Sequence, residues 1–163
     1  MKKLILILIF LFSNNIIGQI HLVDEEYFII NIVNDPYSSY KEKGLYSGFE
    51  IGLVSYGKLI KAGLHNFPVL NGGWTRLNGT FAFIIEPDNI FTTTTFSGGL
   101  NLGYIKRSKY LYPYYGFEIE TVKQFNNVAI GFRSNLDRRT DFKYWGGEPK
   151  WRYSGQIIVQ IKF

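Results

Sequence analysis

Two histidines, one close pair of carboxylates and one arginine- and aromatic-rich stretch are the places in this sequence where residue types and spacing could amount to chemistry. A hydrolytic site needs a nucleophile, a base and a group that orients the base. His65 ends one alternating segment on its polar side, and Ser47, Glu50 and Ser55 lie on the segment before it. In the expected register Ser47 is the serine nearer His65, but it falls on the apolar face. That spacing argues against a triad and makes His65 an interior or rim hydrogen-bonding residue. His21 belongs to a stretch expected to be a flexible tail. Glu118 and Glu120 share one face at i, i+2. Such a pair can divide acid and base roles when its surroundings separate the two pKa values, but among Arg and Lys neighbours structural ion pairing is expected. No catalytic residue is assigned. Cysteine is absent, which excludes disulfides, thiolate metal sites and thiol nucleophiles. No other His or carboxylate group has ligand spacing, so neither a metal nor a cofactor is expected.

The segment Asp137–Tyr153, DRRTDFKYWGGEPKWRY, is the most distinctive. Arg138, Arg139, Phe142, Tyr144, Trp145 and Trp151 are of the types enriched in binding hot spots. A connection held on a rigid scaffold is where function commonly sits. These six residues are candidate contacts for an unknown surface ligand.

The elements that must position these residues are strands. The 163 residues suffice for one domain, and 12 Tyr, 14 Phe and 17 Gly favour pleated surfaces and tight turns. Residues 1–18 open with Lys2 and Lys3 and continue with the apolar run Leu4–Phe12. That run is too short for a membrane-spanning helix, so the pattern predicts a cleaved secretory signal before a single domain over 19–163. Its removal lowers the formal net charge of +5 by two. So mild a charge does not point to nucleic acid as a partner.

Along the remainder, apolar residues alternate with polar or small ones, and helical spacing is nowhere sustained. Phe49, Ile51 and Leu53 alternate with Gly48, Glu50 and Gly52. Tyr115, Phe117 and Ile119 alternate with Gly116, Glu118 and Glu120. Val128, Ile130 and Phe132 alternate with Ala129, Gly131 and Arg133, and the pattern runs from Trp151 to Phe163 with Ile158 alone breaking the polar side. With Tyr27–Asn34 as the first, this predicts eight strands. Short turns are expected at Tyr56-Gly57, Pro87-Asp88-Asn89 and Gln124–Asn127. Longer connections are expected at Asp35–Leu45, Asn66–Gly73 and Asp137–Lys150, with a short one at Lys106–Tyr110 on the same end. Short turns on one end and long ones on the other suit a closed antiparallel up-and-down barrel of the transmembrane type, with both termini on the short-turn side.

A soluble barrel would show the same alternation with its apolar face inside. Three features favour the opposite sidedness. The polar faces are crowded with glycine, as a narrow eight-stranded lumen requires. They also carry Glu50, Glu118 and Glu120 against Lys61, Arg76, Arg133 and Arg152, a set of both signs that would have to pair in a closed interior. Finally, Tyr46, Tyr56, Trp74, Tyr104, Tyr112, Tyr114, Tyr115, Tyr144, Trp145 and Trp151 fall at or beyond strand ends, where membrane barrels carry aromatic girdles. The last strand, GQIIVQIKF, closes on Phe163 and resembles the final strand of small bacterial outer-membrane β-barrel proteins. The resemblance implies an outer-membrane address, contact with outer-membrane lipid and insertion by the barrel-assembly machinery, with no particular member indicated. A non-enzymatic surface-interaction protein with a filled lumen is the leading expectation. A soluble calyx for a small apolar ligand and a barrel-embedded lipid-modifying enzyme are the alternatives.

Overall fold

The computed structural model describes residues 20–68, 72–87 and 94–163, so the expected signal segment lies outside the described residues. Strands form where β-branched and aromatic residues alternate with small or polar ones. They are β1 Ile20–Leu22, β2 Glu26–Asn34, β3 Ser47–Ser55, β4 Lys58–Phe67, β5 Trp74–Pro87, β6 Thr94–Arg107, β7 Tyr110–Phe125, β8 Val128–Arg139 and β9 Lys150–Lys162. A short helix α1, Pro36–Glu42, joins β2 to β3, and a 3-10 turn, Asp141–Trp145, lies between β8 and β9.

Strands β2 to β9 each pair antiparallel with the next, and β2 pairs with β9 through Ile30↔Ile161 and Ile32↔Val159. Eight strands thereby close on themselves with no open edge, the expected up-and-down barrel. The β3–β4 hairpin turns on Tyr56 (φ 46°) and Gly57 (φ 73°). Two consecutive left-handed residues are what a two-residue hairpin loop matching the strand twist demands. Among the described residues, the longer connections gather at the other end, with α1 and the 3-10 turn. The Pro87-Asp88-Asn89 turn runs into 88–93 and the Asn66–Gly73 connection contains 69–71, both outside the described residues.

The expectation for His21 is corrected. Its backbone lies in β1, opposite Glu86 of β5. β5 outruns β4, whose pairing begins at Lys58↔Phe83, and β1 takes up the edge that this leaves unpaired.

Sidedness follows the parity of the strands. Phe49, Phe81, Phe117, Ile130 and Val159 all face outward, Phe117 at 54% and Ile130 at 53% exposure, while Glu118 and Arg133 are buried inside at 2% and 1%. The interior is layered along the barrel axis. At the short-turn end Val23, Tyr27, Ile29, Val54, Leu59, Ala82 and Ile84 form an apolar plug. Charged and amide side chains fill the middle. Toward the long-connection end Val33, Phe67, Ile105 and Ile158 pack with the rings of Tyr46, Trp74 and Tyr114. Tyr46, Trp74 and Tyr114 therefore do not belong to an outer girdle. Their strand parity turns them inward, where they close the barrel beneath its mouth.

Candidate functional site

Glu50 on β3 is the hub of the middle layer. Arg133 on β8 grips it as a fork, Nη2 to Oε2 at 2.6 Å and Nη1 to Oε1 at 2.7 Å. The same guanidinium reaches Glu120 through Nε at 2.8 Å. Lys61 on β4 completes the set, its Nζ 2.6 Å from Glu118 and 2.8 Å from Glu120. Three carboxylates thus face two cations. Neutral donors meet further carboxylate lone pairs: Asn31 and Asn78 donate to Glu50, and Thr80 donates to Glu118. Bidentate, closely paired geometry of this kind is what allows charge to stand out of water.

His65 joins this layer to the one above. Its Nε2 lies 3.0 Å from Glu50 Oε1 and its Nδ1 lies 2.5 Å from the Tyr46 hydroxyl. Gln156 Nε2 donates to that hydroxyl at 2.9 Å. One proton arrangement satisfies every atom: Gln156 donates to Tyr46, Tyr46 to His65, and His65 to Glu50. Both ring nitrogens are thereby engaged inside the barrel.

Small residues make room for the hub. A Cβ on Gly63 would sit 2.5 Å from Glu50 Cγ and 2.9 Å from the Phe49 carbonyl, and one on Gly48 would sit 2.7 Å from His65 Nδ1. Glycine is required at both places by close approach.

Nearer the mouth, Arg76 Nη1 bonds Asp137 Oδ2 at 2.7 Å and its guanidinium stacks 4.0 Å from the Tyr114 ring. At the mouth itself Asp141 is buried between two arginines. Arg107 Nε donates to it at 2.6 Å, and Arg139 donates through Nε at 3.0 Å and Nη2 at 2.8 Å. Arg107 also donates to the Gly72 carbonyl and lies 4.0 Å from the Trp145 ring, while Arg139 lies 4.9 Å from that of Trp74. Burial pushes the Asp141 carboxyl upward, but the arginine hydrogen bonds and charges outweigh it and hold the group below its ordinary value.

Of the charges read from the sequence as interior, Glu50, Lys61, Arg76, Glu118, Glu120 and Arg133 are buried in the barrel. Arg152 stands apart. It has their parity, but it lies above the packed layers, exposed at the mouth against the ring of Phe142. The six candidate surface residues divide. Arg138 and Trp151 face each other across β8 and β9, with Trp151 edge-on to Tyr115. Arg139 turns into the mouth. Phe142 is half-buried beneath the cations of Arg139, Lys150 and Arg152. Tyr144 and Trp145 are exposed and meet edge to face. Sequence reasoning missed Asp137 and Asp141 as interior partners and Tyr46 as the partner of His65. Asp137 keeps the inward parity of Arg133 and Asn135, a signal that was present.

Comparisons with protein-family models, curated proteins and solved structures returned no match.

Proposed function

We propose that this chain is an outer-membrane β-barrel protein, exported on a cleaved signal at residues 1–18 and inserted by the barrel-assembly machinery. Its role is a non-enzymatic one, in which the long-connection end contacts a ligand at the cell surface. The observation that carries the reading is the outer wall. On β3 the outward residues between Ser47 and Ser55 are Phe49, Ile51 and Leu53; on β4, between Lys58 and Asn66, they are Ile60, Ala62 and Leu64. On β8, Val128 to Leu136 contributes Ile130, Phe132 and Ser134. No charged side chain points outward between the rims of these strands. Soluble monomers rarely expose more than a few hundred Å² of continuous apolar surface, and here it encircles the barrel. A nine-residue strand such as β3, rising about 3.3 Å per residue and tilted by about 40°, climbs roughly 23 Å, close to the lipid-facing band of about 25 Å.

The calyx alternative needs apolar faces lining a cavity, whereas here they lie outside. The enzyme alternative relies on His65, whose ring nitrogens are both held within the interior. Membrane fractionation, with gel mobility compared before and after boiling, tests the proposal. The chain is expected in the detergent-extracted fraction with a heat-dependent shift. A soluble chain without a shift contradicts it.

A further inference from the structure

The mouth of the barrel holds a polar cavity of about 40 Å³, lined by Asp35, Tyr46, Arg76, Asp137, Arg152 and Gln156 among others. Most of its polar groups are committed elsewhere. Asp35 caps α1, accepting from the Ser38 backbone N–H at 2.8 Å and the Ser38 hydroxyl at 2.7 Å. Gln156 is held by Tyr46 and Arg133. Three neighbouring groups have charged or polar atoms still open to a ligand. Asp137 Oδ1 and Arg76 Nε are buried without a hydrogen-bond partner, although the two residues bond each other through their remaining atoms. Arg152 lies directly opposite Asp137 in the β8–β9 register, is exposed, and has no ion pair among the described residues. An unmet acceptor, an unmet charged donor and an exposed guanidinium that rests against the Phe142 ring thus stand together at an opening that faces outward.

Buried polar atoms left unpaired are costly, and in a native structure each calls for a partner. Three waters would fill this volume, at roughly 10–15 Å³ each, and so would one small oxyanion with an adjoining hydroxyl. The donors ask for negative oxygen, and the acceptor asks for O–H. We propose that the mouth binds an acidic sugar unit, its carboxylate or phosphate oxygens taken by Arg152 and Arg76 and a neighbouring hydroxyl donating to Asp137 Oδ1. The cavity admits the acidic group and that hydroxyl, while the ring stays at the rim. This deepens the surface-contact reading and rests on it.

Three probes separate the components: acetate carries only the charge, glucose only the hydroxyls, and glucuronate both. They are titrated calorimetrically against the full chain in detergent micelles, after its heat-dependent gel shift has been verified. A second arm presents the same group on a lipid, using micelles doped with a glucuronosyl diacylglycerol. Saturable binding in the first arm supports a free saccharide as the ligand, and binding in the second alone supports a lipid headgroup. Either sustains the proposal if glucose and acetate bind at least about ten-fold more weakly and Arg152→Gln weakens glucuronate by about ten-fold, the effect of losing one charge-assisted hydrogen bond. Arg152 is exposed, so this variant leaves the barrel intact. Asp137→Asn should narrow the preference for glucuronate over acetate. A heat-shifting barrel that binds none of the probes overturns the inference alone. So does one that binds acetate as well as glucuronate, or one indifferent to Arg152→Gln. A wild-type chain with no heat shift overturns the barrel reading beneath it.

Discussion

Arg133 meets more of the buried charge than any other cation in the barrel, bonding Glu50 and Glu120 at once. Removing it would leave Glu50 buried without its bidentate partner and Glu120 with Lys61 alone, and breaking a buried pair in this way typically costs about 3–5 kcal/mol. Arg133→Met should therefore lower the urea midpoint of the barrel sharply, as read by gel mobility, whereas Arg152→Met at the exposed mouth should leave it nearly unchanged. Equal effects would mean that the middle layer contributes little. The pH response belongs to Asp141. Because its folded pKa is depressed, it stabilises the clasp above the ordinary carboxyl value near 3.8 and ceases to do so as pH falls through the lower folded value. Trp145 fluorescence, reporting Arg107 stacked on its ring, should hold steady from neutral pH down to about 4 and change only below that. A change between pH 5 and 7 would contradict the assignment. Strand parity made the inward direction of Glu50, Lys61, Glu118 and Arg133 readable in the sequence. Their pairing was not readable, since Arg133 and Glu50 are 83 residues apart and meet only because the barrel closes. Arg152 shows the complementary limit: parity gives the face of a strand but not the depth.

At the scale of elements, strand interiors are shaped by what they must avoid. Gly63 leaves the space that Glu50 occupies, and a branched side chain there would collide with both Glu50 and the β3 backbone. Gly63→Val should destabilise the barrel by about 1–3 kcal/mol, as overpacking does, while Ala62→Val next to it, facing outward, should be tolerated. Comparable urea midpoints for the two variants would refute the inward placement. Alternation made all eight barrel strands legible, and turn residues marked the Tyr56-Gly57 hairpin. The boundaries were less so. Asp137 reads as the start of a polar connection, yet β8 continues to Arg139 because β7 offers pairing partners as far as Tyr114. His21 reads as tail, yet the overhang of β5 recruits it.

For the whole molecule, closure and filling decide what can pass. The apolar plug at one end, the ion-paired middle and the aromatic layer at the other fill the described interior with buried side chains. Incorporated into a planar bilayer, the protein should give no stepwise conductance, and steady open channels would show that the interior rearranges. Closure itself was an inference from strand count and connection lengths, and the β2–β9 and β5–β6 pairings provide it. What the outer wall contacts is the central matter, and the absence of cysteine makes it directly measurable. A single fluorophore can be attached at Ile119→Cys on the outer wall, with Lys143→Cys at the mouth as the reference, in vesicles containing lipids brominated along their acyl chains. A lipid-facing wall predicts strong quenching at position 119 and little at 143. Equal, weak quenching at both positions would place the wall in water and contradict the membrane reading.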